Sequence, residues 1–346
     1  MLDFRRRLLE WYREHRRDLP WRRTTDPYAI WLSEVMLQQT QVATVIPYWT
    51  RFLDRFPSVE ALAAASEDQV LACWTGLGYY SRARNLHRAA RAVATRHGGR
   101  FPASHEALAA LPGIGPYTAA AVASIAFGLP HAVLDGNVAR VLCRLQALPG
   151  DDRAPAARNR LQALAEELLD PRAPSEFNQA MMELGALLCT PRAPACPDCP
   201  VAVLCRARDS GKPARYPERE RRAKSVGVDW TVAVVRLGSR LLLVRSVSAR
   251  LFTGMWELPW VERPPDQALP ELERKYGLAL TLGDEFRTLR HSVTTRRILL
   301  HAVEAALTDD RLRESGLGWR WATSEELRET GVSSMVTKIL AGLPAL

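Results

Sequence analysis

The chain of 346 residues is long for one domain and sufficient for two, each with a core of its own. With 47% hydrophobic and 25% charged residues, and no apolar run of membrane-spanning length, it is neither a largely disordered chain nor one built on transmembrane helices. A formal charge of +9, carried mainly by arginine, favours a polyanionic partner.

In chain order, MLDFRRRLLEWYREHRRDLPW alternates basic and aromatic residues without an apolar signal core or a small-residue cleavage site, and reads as the first helix of a cytoplasmic protein. Apolar residues then recur at three and four spacing through YAIWLSEVMLQQTQVATVI, SVEALAAASEDQVLACW, ARNLHRAARAVATRH and SEFNQAMMELGALLC, a repeatedly helical pattern punctuated by prolines and glycines. The economical reading is an all-helical domain over residues 1–211. Within it, LPGIGPYTA places Gly113 and Gly115 around Ile114 at a tight turn, where both glycines tolerate positive φ and leave backbone N–H groups unobstructed. Pro116 suits the first turn of a following helix, so turn and helix N-terminus together form a nest for a phosphate oxygen. Two acidic residues keep unusual company: Glu34 in the otherwise apolar or amide-bearing WLSEVMLQQTQV, and Asp135 closing an apolar run in VLDGNVARV. Alone, the first reads as a solvated helix face and the second as a turn or cap.

Cys189, Cys196, Cys199 and Cys205 stand at C-x6-C-x2-C-x5-C in a proline-rich stretch that cannot bury four thiols in a regular core. Four thiolates so spaced can enclose one ion or one cluster; the single short pair favours a [4Fe-4S] cluster, and spacing alone leaves zinc open. Cys73 and Cys143 lie singly in helical patterns, against a secreted disulfide framework. A basic linker follows over residues 212–228, with six basic and two acidic residues between Lys212 and Lys224. From 229 to 346 the pattern becomes α+β. WTVAVVRLGSRLLLVRSV predicts a hairpin turning at Gly238 and Ser239, TRRILLHAVEAAL a further strand, and PELERKYGL and SSMVTKILAGL helices on a mixed or antiparallel sheet.

A four-cysteine loop ending a helical domain that carries LPGIG resembles the endonuclease III superfamily of helix-hairpin-helix DNA glycosylases. More closely, WLSEVMLQQTQVATVIPYW, WTGLGYYSRARNLH, LPGIGPYTA, LDGNV and FNQAMMELGALLCT resemble the MutY-type adenine DNA glycosylases over nearly the whole helical domain. The resemblance implies a base-excision repair enzyme, monomeric on double-stranded DNA, that hydrolyses the N-glycosidic bond of adenine opposite 8-oxoguanine or guanine. It also implies one [4Fe-4S] cluster in the loop 189–205. Carried over residue by residue, Glu34 would be the general acid that protonates adenine, with a raised pKa, while Asp135 would stay ionised and stabilise the sugar C1′. Asn137 would orient Asp135 or water, and Tyr117 would stand beside these groups. Bifunctional superfamily members carry a Schiff-base lysine where Tyr117 stands, so a monofunctional glycosylase is expected. Gln39 and Tyr79 match residues that wedge into the duplex as the base leaves the stack, with Leu37, Gln38, Thr40 and Leu77 at the same interface. Arg22 and Glu183 match the adenine pocket, and Tyr80 reads as core packing.

LFTGMWELPW resembles the strand and turn of Nudix hydrolases, the fold of the lesion-recognition domain that ends MutY-type proteins. PELERKYGL offers only Glu271 and Glu273, short of the glutamate cluster that binds magnesium, so nucleotide hydrolysis is not expected. In RHSVTTRR, His291, Ser292 and Thr294 are the candidate lesion contacts, while Thr295 stands where the family's loop ends in histidine. Two rival readings stay open at this point: a bifunctional pyrimidine-lesion glycosylase and lyase of the same superfamily, and a non-catalytic mismatch-binding protein.

Overall fold

The structure, a computed structural model, describes residues 1–219, 225–245, 252, 254–293, 295–308 and 318–341. By their contacts the described residues fall into two compact units, Met1–Ala64 with Asn85–Arg221 and Ala65–Arg84 with Arg222–Leu346. The composition change over 212–228 gives no hint of the excursion at 65–84, whose helical pattern looks like that of its neighbours. Among the described residues no helix is long and apolar enough to cross a membrane.

The first unit is helical. Its helices in chain order are α1 (Leu2–His15), α2 (Pro27–Leu37), α3 (Val42–Arg55) and α4 (Val59–Ala64). After α5 (Glu67–Trp74), which belongs to the second unit, α6 (Ser81–Arg96) leads back. Then come α7 (His105–Ala109), α8 (Pro116–Phe127), α9 (Gly136–Gln146), α10 (Pro155–Leu168) and α11 (Pro174–Leu187). Two of the stretches with a helical pattern are each divided into two helices. Ser66 ends one, capping α5 through a reciprocal pair of bonds with Gln69 that separates it from α4. The other breaks at Gln38–Gln41, where Gln39 takes φ +56 and turns the chain out of α2 before α3 begins. Helix α2 is buried from Tyr28 to Met36 and packs on α8, which is buried from Thr118 to Ser124 and stops at Gly128 in a left-handed cap. Between α7 and α8 lies the expected hairpin. Only Gly113 of its two glycines takes positive φ, +72, and a Cβ there would stand 2.4 Å from the Asn85 Cβ; Gly115 is the N-cap of α8 at an ordinary φ of −84. Ile114 between them is buried and anchors the turn.

Among the described residues the second unit is built on a seven-stranded sheet: β1 (Val226–Leu237), β2 (Arg240–Arg245), β3 (Trp256–Glu257), β4 (Trp260–Val261), β5 (Leu280–Val293), β6 (Arg296–Leu307) and β7 (Trp319–Thr323). The order is β3-β2-β1-β6-β5, with β4 also paired to β1 and β7 to β2. The sheet is mixed: β1 and β6 run parallel from Val226↔Arg296 to Val235↔Ala305, and the other pairs are antiparallel. Residues of alternate parity along β1 reach opposite layers, Trp230, Val232 and Val234 one core, Ala233 and Val235 the other. The helix Leu269–Tyr276 packs over the second layer through Leu272, and Ser334–Leu340 over the first through Met335, Val336 and Ile339.

Candidate active site

A cleft of about 780 Å³ opens in the first unit and gathers Glu34, Tyr117, Asp135, Asn137, Arg22 and Glu183 on its walls, with Leu37, Gln38, Gln39, Thr40, Gly113 and Gly115 around them. Glu34 projects from the apolar α2 and is 5% exposed. Tyr117, one residue into α8, donates its hydroxyl to Glu34 Oε2 at 2.5 Å. Burial pushes the Glu34 carboxyl up to about 7; the Tyr117 hydrogen bond pulls against this, Asp135 adds to it and Arg22 opposes it. The same burial, with Glu34 and Asp135 nearby, drives the Tyr117 phenol well above its ordinary value, so it stays a donor.

Asp135 is the N-cap of α9. Its Oδ1 accepts from the backbone N–H of Asn137 (2.9 Å) and Val138 (2.7 Å), and its Oδ2 from Asn137 Nδ2 (3.2 Å). Burial raises this carboxyl above its ordinary value, while the Val138 and Asn137 amides and the Arg140 charge hold it down. Asn137 is itself held. Arg140 donates from Nη2 to Asn137 Oδ1 (2.8 Å) and to the Gly185 carbonyl (2.7 Å), and from Nε to the Cys189 carbonyl (2.7 Å). At Gly185 a Cβ would lie 2.7 Å from Asn137 Cβ, so α9 and α11 approach too closely there for a side chain.

Glu183 is 1% exposed and lies between two guanidinium groups: Arg17 Nη2 and Arg22 Nη2 donate to its Oε2 at 2.7 and 2.9 Å. Burial alone would raise its pKa, but the hydrogen bonds from Arg17 and Arg22 outweigh it and bring the carboxyl down to about 2. One buried acid in the cleft is thus held ionised and another, Glu34, is poised to carry a proton near neutrality.

The four cysteines line one small cavity of about 30 Å³ with Arg144, Arg208, Pro194 and Pro213. Among the described residues no three His, Cys, Asp or Glu side chains stand together closely enough to ligate a single ion. Four thiolates around one cavity can enclose one ion or one cluster. Arg144, 2% exposed, donates to Cys189 Sγ (3.3 Å), to the Thr190 and Pro191 carbonyls (2.7 and 2.9 Å) and to the Tyr216 carbonyl (3.0 Å).

The remaining expected site residues lie in the second unit. Leu77 is buried, and Tyr79 is 48% exposed at φ +49. His291 sits within β5 rather than in a loop, 9% exposed and 3.4 Å from Lys338 Nζ; burial and that ammonium lower its pKa. Ser292 follows it, exposed, paired in register with Arg297. Thr294 lies outside the described residues. Arg17, Arg140 and Arg144 had no motif to single them out. The available signal for the last two was a pair of arginines four apart in an otherwise apolar helix, where a surface role would not place them.

Residues 32–167 match the HhH-GPD superfamily of base excision DNA repair proteins, and residues 231–342 match a NUDIX domain. The Homo sapiens adenine DNA glycosylase is 39% identical over 97% of this chain and 73% of its own length, and the Arabidopsis thaliana protein of the same name 33% identical over 96% and 63%. Among solved structures, a thermostable thymine-DNA glycosylase is 31% identical with a TM-score of 0.55, over 60% of this chain and 95% of that one. Endonuclease III in a non-covalent DNA complex shares the helical fold at 22% identity and a TM-score of 0.51, over 59% and 92% of the two chains. With likeness running through both the helical and the Nudix-like parts, the chain belongs to the adenine DNA glycosylase family of the HhH-GPD superfamily.

Proposed function

We propose that this protein is a monofunctional adenine DNA glycosylase of base-excision repair, working as a monomer in the cytoplasm, which flips adenine out of its mispair with 8-oxoguanine or guanine and hydrolyses its N-glycosidic bond. The observation that carries this reading is Glu34, a buried carboxyl near pKa 7, hydrogen-bonded to a phenol and sharing a cleft with the capped Asp135. Glu34 gives its proton to the leaving base as the C1′–N bond breaks, and the bonding pair departs with adenine. Asp135 faces the positive charge that develops on the sugar, and water adds to C1′, returning a proton to the carboxylate pair. A phenol at 117 forms no imine with the opened sugar, so the product is an abasic site in an intact strand. Glu183 holds the Arg17 and Arg22 guanidinium groups in place on the wall of the cleft where the base enters. Gln39 and Tyr79, both non-glycine residues in the left-handed region, fill the space the base leaves; backbone strain of this kind concentrates at working sites.

Cys189, Cys196, Cys199 and Cys205 hold one [4Fe-4S] cluster, which cross-links the loop and supplies no step of the hydrolysis. His291, Ser292 and Thr294 read the partner base.

The test uses the full chain with duplexes carrying A opposite 8-oxoguanine, A opposite guanine, T opposite guanine, or an oxidised pyrimidine, comparing strand breaks with and without alkali. Breaks that require alkali and occur at A support the reading. Direct nicking at the pyrimidine would establish a lyase, and tight binding without product a mismatch sensor; either overturns it.

A further inference from the structure

The turn that presents Tyr79 is held from the C-terminal part of its own unit. Residues 75–80 leave α5 through two glycines in the left-handed region, Gly76 at φ +104 and Gly78 at φ +70, and Tyr79 follows at φ +49. A half-exposed tyrosine on so irregular a backbone has no regular ladder to fix its direction. From inside, Arg82 donates to the Leu77 and Gly78 carbonyls, both at 3.2 Å, and its guanidinium lies 5.6 Å from the Tyr79 ring centroid and 5.4 Å from that of Trp74. The other side is closed by residues 331–334. The Ser334 N–H donates to the Tyr80 hydroxyl at 3.0 Å, and the Thr75 hydroxyl stands 3.0 Å from the Val332 carbonyl. A Cβ on Gly331 would lie 2.5 Å from the Leu71 Cβ, so the two segments touch at backbone distance. Residues 331–334 are in turn tied to the sheet: Trp256 donates its N–H to the Gly331 carbonyl, and the Ser333 hydroxyl donates to the fully buried Glu257 at 2.8 Å.

We propose that Tyr80 is a positioning residue: its hydroxyl, docked on the Ser334 amide, fixes the turn from which Tyr79 enters the duplex, so the Nudix-like half sets the wedge. This rests on the reading of Tyr79 as a wedge. Tyr80 is 7% exposed and touches no substrate itself. Its ring packs as core, as its sequence context suggested, but a phenylalanine would serve for packing alone; the hydroxyl is what the amide uses.

The experiment is a double-mutant cycle with Tyr80→Phe and Tyr79→Ala in the full chain, reading affinity for an A·8-oxoguanine duplex and the fluorescence of 2-aminopurine placed beside the mispair, which rises on unstacking. Tyr80→Phe is expected to weaken binding about 3-fold to 10-fold and lower the fluorescence rise when Tyr79 is present, and to change neither when Tyr79 is alanine. Gly331→Ala, which pushes the two segments apart, should reproduce the loss. Equal losses in both Tyr79 backgrounds, or no loss from Tyr80→Phe while the wild type releases adenine, would overturn the positioning role alone. A wild type that releases no adenine and unstacks nothing would overturn the functional reading and this inference with it.

Discussion

Tyr117 donates its hydroxyl to Glu34 Oε2 from a position 83 residues away in the chain, and the bond favours the ionised carboxylate that burial disfavours. The acid strength of Glu34 is therefore a balance in which the phenol is the opposing weight. A general acid works in its protonated form, so single-turnover adenine release should fall about tenfold per unit above pH 7, and should fall again at acid pH where Asp135, itself raised by burial, takes up a proton. Tyr117→Phe removes the bond to the carboxylate, which raises the Glu34 pKa and moves that descending limb to higher pH. A limb that stays in place or moves toward acid would show that the phenol does not set the proton. Glu34→Gln and Asp135→Asn should each abolish release while binding persists.

The same carboxyl makes stability depend on pH with a definite sign. Its folded pKa, about 7, lies above the ordinary 4.5, so the native state holds a proton that the unfolded chain gives up. Wild-type stability should decline as pH rises from 4.5 to about 7, and Glu34→Gln should decline less over the same span, because Glu257, pushed up to about 8 by burial, is common to both proteins. By pH 8 the inactive variant is expected to gain on the order of 1–3 kcal/mol relative to wild type, compared with pH 4.5, in denaturant titrations. Parallel curves for the two proteins would refute the assignment of the proton to Glu34.

Gly185 has no catalytic group, yet Gly185→Ala should cost activity. The new Cβ falls 2.7 Å from Asn137 Cβ and 3.1 Å from the Asn137 carbonyl carbon and oxygen, so the first turn of α9 must move and carry Asp135 with it. The excision rate is expected to drop about 10-fold to 100-fold. Overpacking of this kind costs about 1–3 kcal/mol, so the fold should persist, and a thermal scan beside the rate measurement separates displacement from unfolding.

The cysteine loop makes a prediction that needs no DNA. Purified anaerobically, the protein should be brown and carry about four iron atoms and as much sulfide per chain. Cys199→Ser should lower both contents and the midpoint of thermal unfolding. A colourless wild type with one zinc per chain would replace the cluster with the alternative that spacing left open.

The chemistry was more legible in the sequence than the architecture that aims it. Glu34 and Asp135 stand out as acids in apolar company, and the cysteine spacing announces a shared site. Their supports do not stand out, because contact between Tyr117 and Glu34, or between Arg140 and the Cys189 carbonyl, is made by helices meeting in space. Strand β5 escaped notice for a local reason: its alternation is interrupted at Leu282/Glu285 and Glu285/Arg287, and along it only Leu280 and His291 are buried. The break at Gln38–Gln41 falls in a polar run, QQTQ, between two apolar stretches, and the excursion at 65–84 opens at an ordinary capping box.

The division of the chain into Met1–Ala64 with Asn85–Arg221 and Ala65–Arg84 with Arg222–Leu346 bears on the order in which a nascent chain matures. Residues 65–84 emerge from the ribosome well before the segment they rest on, since Ser334 lies 254 residues after Tyr80. A polypeptide halted after the cysteine loop already contains every side chain of the cleft, with the tyrosine turn still waiting for its seat. Arrival of residues 331–334, rather than assembly of the acid pair, is then the event that seats the tyrosine turn.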